Sequence, residues 1–253
     1  MSEIERKQKV EIEFWRDAEH ESPEADSIHN IVNKVTDAAV FLDCINRHHK
    51  ELIINGRVLE LGGGQGWASC VYKKLFPNAH VTATDISKYA VLSLPKWERL
   101  FEVKIDNSYA CTSYEINESD ASLDLIFCFA AAHHFLAHKR TLREISRILK
   151  PGGKAIYFNE PATPRYLYSL ARWRLVRTRP EVPEDMLITS ELRKLAQEAE
   201  LDMYVDYHPS IIKRGPFRAL QAISIIRDSI PFLHPLLPCS ANFIFMKNES
   251  QPT

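Results

Sequence analysis

The stretch VLELGGGQGW, residues 58–67, holds four of the chain's eight glycines, at Gly62, Gly63, Gly64 and Gly66. Average usage of about 7% would give a chain of this length roughly 18 glycines, so a sequence sparing with glycine has concentrated it in one window. Glycine permits a tight turn with unusual φ and lets a ligand approach backbone N–H groups. The window is flanked by a short apolar strand, Arg57–Leu61, and a helix, Gly66–Phe76, that ends at Pro77. A β-branched strand, His80–Thr84, follows and ends at Asp85, nineteen residues past Gly66. In an open parallel sheet the ligand crevice lies beyond the carboxyl ends of the strands, where this loop falls. An acid at Asp85 can accept hydrogen bonds from both hydroxyls of an adenosine ribose.

Outward from this window the alternation continues. Upstream, a short helix and a turn precede a helix over Asp26–Arg47, which shows one apolar stripe and takes Asp26 as its N-cap. Downstream come a helix over Ser87–Phe101, broken or kinked at Pro95, and the continuous apolar run LDLIFCF at Leu123–Phe129, which suits a strand buried on both faces. A helix over His138–Leu149 stops at Lys150-Pro151-Gly152-Gly153, and a strand over Lys154–Asn159 follows. Beyond it lie a helix over Thr189–Ala199 and strands over Asp202–His208 and Asn242–Met246. The pattern predicts an α/β fold: a Rossmann-like, doubly wound, mostly parallel seven-stranded sheet with an N-terminal helical cover and helical insertions. No linker or repeat divides residues 1–253, so a single domain is expected.

Composition narrows the classes. The chain is 45% hydrophobic with 32 basic and 33 acidic residues, which disfavours a disordered tail and argues against a nucleic-acid partner. The charged N-terminus is unlike a signal peptide, and no apolar run reaches the ~18 residues a membrane span needs. Five scattered cysteines without a C-x-x-C pair read as reduced thiols of a cytoplasmic protein, with no metal site.

The glycines fit neither a dinucleotide fingerprint, since Trp67 stands where its last glycine belongs, nor a P-loop, since no Gly-Lys-Ser/Thr follows. They fit E-x-G-x-G-x-G from Glu60 to Gly66. With RILKPGGKAIY at 147–157, this resembles the class I S-adenosylmethionine-dependent methyltransferases, especially the ubiquinone/menaquinone-type (methyltransferase type 11) group. The resemblance runs over about residues 56–160 and implies S-adenosyl-L-methionine as cofactor. It implies that Glu60 lies near the cofactor's methionine amino group and that the backbone of Gly62–Gly64 passes close to it. Asp85 would hold the ribose hydroxyls, Ile86 would lie against adenine, and Phe129 would line the methionine side. The family's acid after the third strand is replaced here by Thr112, which leaves adenine to the Thr112 or Ser113 hydroxyl or to backbone. The domain then divides into a helical cover (1–50), a cofactor-binding core (56–160) and acceptor-side insertions (161–188 and 211–238).

Methyl transfer to oxygen benefits from a base, and His133 and His134, in AAAHHF after the fourth strand, stand at the crevice end of the sheet. Their other reading is structural or substrate contact. A metal on His134 and His138 lacks a third ligand. Glu13, Asp17, Glu19, Glu21 and His20 are candidates to close over the site, or else a solvated helix face. The arginines Arg165, Arg172, Arg174, Arg177 and Arg179 suggest an anionic acceptor, an anionic membrane surface or a solvated helix. The apolar, proline-rich segment 216–238 suits a lid over an apolar substrate, a dimer contact or a peripheral membrane contact.

These readings predict a methyltransferase acting on a small-molecule or lipid-/glycan-linked acceptor, at oxygen. The alternatives are a catalytically inactive protein that binds cofactor or partner, and an NAD(P)-dependent oxidoreductase.

Overall fold

The computed structural model describes residues 3–23, 25, 27–52, 55–178, 184–207, 230–237 and 239–249. Its strands are β1 (Arg57–Glu60), β2 (His80–Asp85), β3 (Asn107–Ala110), β4 (Leu123–Phe129), β5 (Leu149–Thr163), β6 (Leu187–Ile188), β7 (Leu201–Tyr207) and β8 (Cys239–Lys247). They form one sheet in the order β3-β2-β1-β4-β5-β8-β7, with the two-residue β6 beside β5. All pairings are parallel except those of β8, which runs antiparallel to β5 and β7. The expected seven-strand row is present, and β6 is an eighth strand too short to show as a pattern.

The helices are α1 (Glu3–Asp17), α2 (Ile28–Arg47), α3 (Trp67–Leu75), α4 (Lys88–Val91), α5 (Leu94–Phe101), α6 (His138–Ile148), α7 (Tyr168–Thr178) and α8 (Thr189–Glu198). Alternate residues of β4 feed two cores, one on each face of the sheet. On one face Phe41 of α2 stacks on Phe127 at 5.6 Å, with Tyr72 of α3 stacked on the same ring at 5.2 Å. On the other, Leu142, Ile145 and Ile148 of α6 and Leu192 of α8 cover Ile126, Tyr157 and Phe243. Burial on both faces is why β4 reads as an unbroken apolar run.

Three local departures from the sequence pattern have physical causes. Pro95 does not kink one helix; the chain breaks before it, and it sits in the first turn of α5, where the missing N–H costs nothing. Ser27 occupies the N-cap position of α2, and Asp26 lies outside the described residues. The β5 strand does not end at Asn159. Asn159 has φ +54°, its N–H donates to Asn242 Oδ1 at 2.9 Å, and the register against β8 shifts between Tyr157 and Glu160. This bulge lets the strand resume and re-aims the residue that follows it. Of the apolar segment 216–238, only 230–237 are described, with a short 3₁₀ turn at Pro231–Leu236.

Candidate active site

The sheet order turns back at β1, which has β2 on one side and β4 on the other. A crevice opens beyond the carboxyl ends of strands at such a switch point. The cavity found there encloses about 790 Å³, open mouth included. Gly62 and Gly64 form one wall, Asp85 and Ile86 another, Cys111, Ser113 and Tyr114 a third, and Ala130, Ala131, His134 and Phe135 a fourth. Helix α1 closes the top with Lys7, Gln8, Glu11 and Trp15, spaced to fall on one helix face.

The glycine loop is built for close approach. Gly62, Gly64 and Gly66 have φ of +68°, +55° and +79°. A Cβ at Gly66 would stand 2.6 Å from Leu94 Cδ1, and one at Gly63 would stand 2.7 Å from the Glu60 carboxylate. That carboxylate faces the start of α3 rather than the cavity: Oε2 accepts from the Ser69 N–H at 3.0 Å and from the Ser69 hydroxyl. Burial nevertheless pushes the Glu60 carboxyl up to about 7. Asp85 does reach the cavity wall. Its Oδ2 accepts from Gly64 N–H and its Oδ1 from Ser87 N–H, both at 2.8 Å, while burial pushes its pKa up to about 6.

Other expected residues fall elsewhere. Phe129 packs away from the cavity against Phe41 and Trp67, at ring distances of 5.3 and 5.4 Å, and Ala130 after it forms the wall. Thr112 is bridged to Glu115, and its buried hydroxyl makes no hydrogen bond; its neighbours Cys111 and Ser113 face the cavity. His133 is not on the wall, but its ring lies 4.2 Å from that of His134, which is.

Residues 59–157 match a family model described as "Methyltransferase domain". That segment is a methyltransferase domain. No curated protein matches its sequence. Among solved structures, the YcgJ protein of Bacillus subtilis is 20% identical with a TM-score of 0.61, over 84% of this chain and 100% of its own. Geranyl diphosphate C-methyltransferase from Streptomyces coelicolor A3(2) is 12% identical with a TM-score of 0.66, over 95% and 97%. Phosphoethanolamine N-methyltransferase 2 of Haemonchus contortus is 16% identical with a TM-score of 0.57, over 96% and 57%. These identities establish a shared fold. The family-model match over residues 59–157 makes the protein an enzyme, an S-adenosylmethionine-dependent methyltransferase.

The residues of the methyltransferase cavity fit that cofactor chemically: Asp85 offers a carboxylate to a diol, and the wall carries carboxylates rather than a phosphate-binding cation cluster. Beside it sits a group that sequence reading missed. Glu160, re-aimed by the Asn159 bulge and fully buried, accepts from the N–H groups of Ala131 (2.8 Å), Ala132 (2.7 Å) and His133 (3.2 Å) and from His133 Nδ1 at 2.8 Å. Burial alone would raise the Glu160 pKa, but His133 and these N–H groups hold it below the usual range. Burial alone would lower the His133 pKa, but Glu160 holds it above its ordinary value. The only sequence signal for Glu160 is a lone acid continuing an apolar strand.

Glu11 was missed too. Of the acids expected to close over the site, Glu13 pairs with Lys9 at 3.6 Å, Asp17 with Arg16 at 2.7 Å and Glu21 with Lys34 at 2.7 Å; Glu11 is the one from α1 that reaches the cavity. The arginine stripe is partly engaged: Arg165 pairs with Glu191, and Arg172 with Asp185 at 3.0 Å, while the side chains of Arg174 and Arg177, and Arg179, lie outside the described residues. Asp185 also donates its N–H to the His133 carbonyl at 3.0 Å, which ties the insertion to the histidine turn. His133, His134 and Glu184 bring potential ligand atoms within 4.8 Å of one another, whereas His138 is not in this group. No helix among the described residues is long and apolar enough to cross a membrane.

Proposed function

We propose that the enzyme methylates a hydroxyl of a small-molecule or lipid-/glycan-linked acceptor, with His133 or His134 taking the hydroxyl proton. When bound, S-adenosylmethionine supplies an electrophilic methyl group that the acceptor oxygen takes in line as the C–S bond breaks. Gly62 and Gly64 would pass close to it, Asp85 would hold the ribose hydroxyls and Ile86 would lie against the adenine. The observation that carries the base assignment is the 2.8 Å contact between His133 Nδ1 and Glu160 Oε2. A buried carboxylate there fixes the tautomer with the proton on Nδ1 and leaves Nε2 as the proton acceptor. Alignment supplies most of the acceleration, about 7–11 kcal/mol, and a positioned base a further factor of about 10²–10⁴.

An apolar acceptor body is supported by the exposed rings of Tyr166 and Trp173 on the insertion and by Phe232, with the Tyr166 hydroxyl bonded to the Leu236 carbonyl. The same surface would serve a peripheral membrane contact. The test is transfer of labelled methyl groups from S-adenosylmethionine into fractionated metabolite and lipid extracts. His133→Ala and Glu160→Gln should each slow turnover by about 10²–10⁴ with cofactor affinity unchanged. Turnover within threefold of wild type in both variants, and in His134→Ala, would refute a histidine base.

A further inference from the structure

Helix α1 contributes no residue to the apolar core. Among its contacts are Gln8 Nε2 to the Tyr114 hydroxyl (2.9 Å), the Ile12 carbonyl to Ser87 Oγ (3.3 Å) and the Trp15 ring over Gly64. With this light anchoring it carries a carboxylate, Glu11, inward. Glu11 Oε2 is buried and has no hydrogen-bond partner. A buried acceptor without a donor is costly, and such groups call for an explanation.

The groups facing Glu11 are divided: two acids oppose its charge, while two histidines and the Trp15 indole N–H, which donates to the carboxylate, favour it. Asp85 and Glu184 repel it. His133 attracts it, and His134 Nδ1 lies 3.6 Å away. Lys7, one turn earlier on α1, has its ammonium on Glu3 at 3.0 Å. Burial and the charge of Asp85 together push the Glu11 carboxyl up to about 7. What is missing is a cation supplied by a ligand.

The cofactor has one in the right place. Its sulfur is bonded to the methylene that leaves the ribose ring, so a ribose on Asp85 puts the sulfonium between Asp85 and the turn after β4. Glu11 stands between those two elements. After methyl transfer the sulfur is neutral while the amino, carboxyl, ribose and adenine groups are unchanged. We propose that Glu11 reads the positive sulfur of the cofactor, so that the site prefers the methyl donor to its demethylated product. This rests on the cofactor placement proposed above. It gives α1 a role in exchange, since the attraction closing it is lost when the methyl group has left.

The experiment is calorimetric titration of S-adenosylmethionine and S-adenosylhomocysteine into wild type, Glu11→Gln and Glu13→Gln at pH 7.5, with thermal unfolding as a check on folding. Glu11→Gln should weaken the sulfonium ligand about tenfold or more and the neutral one less than about twofold, as loss of a charged partner for one ligand only would. Glu13→Gln, on the same helix but paired with Lys9 on its exposed side, should change neither. Equal weakening of both ligands in Glu11→Gln would overturn the proposal in favour of a contact to a group the two share, and no weakening would overturn it outright. A wild type that binds neither ligand would overturn the cofactor placement itself.

Discussion

Lowering the pH should loosen the cofactor through one side chain, Asp85. Its carboxyl is pushed up to about 6, because burial outweighs the N–H groups of Ser87 and Gly64 that donate to it. Ribose hydroxyls need the ionised form as acceptor, so binding selects that form. Below its pKa the apparent dissociation constant then rises as (1 + 10^(pKa − pH)), which is about 1.1 at pH 7 and about 11 at pH 5. The expected loss is about tenfold, or about 1.4 kcal/mol. The assay is calorimetric titration between pH 5 and 8, with Trp15 fluorescence as a second readout since its ring lies over Gly64. Glu11 titrates in the same range, so the signal is the difference between wild type and Asp85→Asn. The variant should bind at least as weakly at pH 7 as wild type does at pH 5, and its remaining slope belongs to other groups. A wild-type slope that persists undiminished in Asp85→Asn would refute the reasoning.

Three further outcomes are expected. Gly66→Ala should cost about 2–4 kcal/mol, from a left-handed φ of +79° and a Cβ placed 2.6 Å from Leu94 Cδ1; denaturant unfolding checks it, and a loss under about 0.5 kcal/mol would mean the loop gives way freely. The empty enzyme should melt higher at pH 5.5 than at 7.5. Glu11, Glu60 and Asp85 all have raised folded pKa values, so the native state holds more protons than the unfolded chain over this range and stability falls as pH rises. His133, also raised, contributes in the same direction: its share is complete below its ordinary pKa and lost above the folded one. A higher midpoint at 7.5 would contradict the assignment. Dialysis against a chelator should leave cofactor affinity unchanged, because the proposed cofactor contacts at Asp85 and the glycine loop need no metal; a loss restored by one added divalent ion would instead assign a metal to His133, His134 and Glu184.

The parts of this fold visible in the sequence are those fixed by periodicity and glycine. LDLIFCF reads as a doubly buried strand because both faces of β4 meet core residues, and the GGGQG window reads as a loop because its φ values exclude other side chains. The Asn159 bulge is different in kind. A non-glycine residue at φ +54° leaves no mark in a single sequence, so β5 reads as ending one residue before its most consequential side chain. Glu11 is hidden for another reason. Helix α1 is charged on every side, so which acid points inward is set by Trp15 and Gln8 meeting Gly64 and Tyr114, contacts between segments 49 to 106 residues apart in the chain.

Four carboxylates at this end of the sheet are buried or nearly so, and their partners separate their roles. Glu160 receives three backbone N–H groups and an imidazole, so its charge is satisfied by the fold and its pKa falls. Glu60 receives both donors of Ser69 on one oxygen, and its neighbour Gly63 has no side chain because that carboxylate fills the space. Those two acids serve the protein itself, one holding the histidine turn and the other the glycine loop. Asp85 is half-satisfied, with backbone donors on each oxygen and an open side toward the cavity, and Glu11 Oε2 has none. A fold that leaves two acids short of donors on facing sides of one cavity loses stability in the empty state. That loss is recovered when a ligand brings hydroxyls to one and positive charge to the other, which is why affinity and stability in this enzyme should share the same two titrating groups.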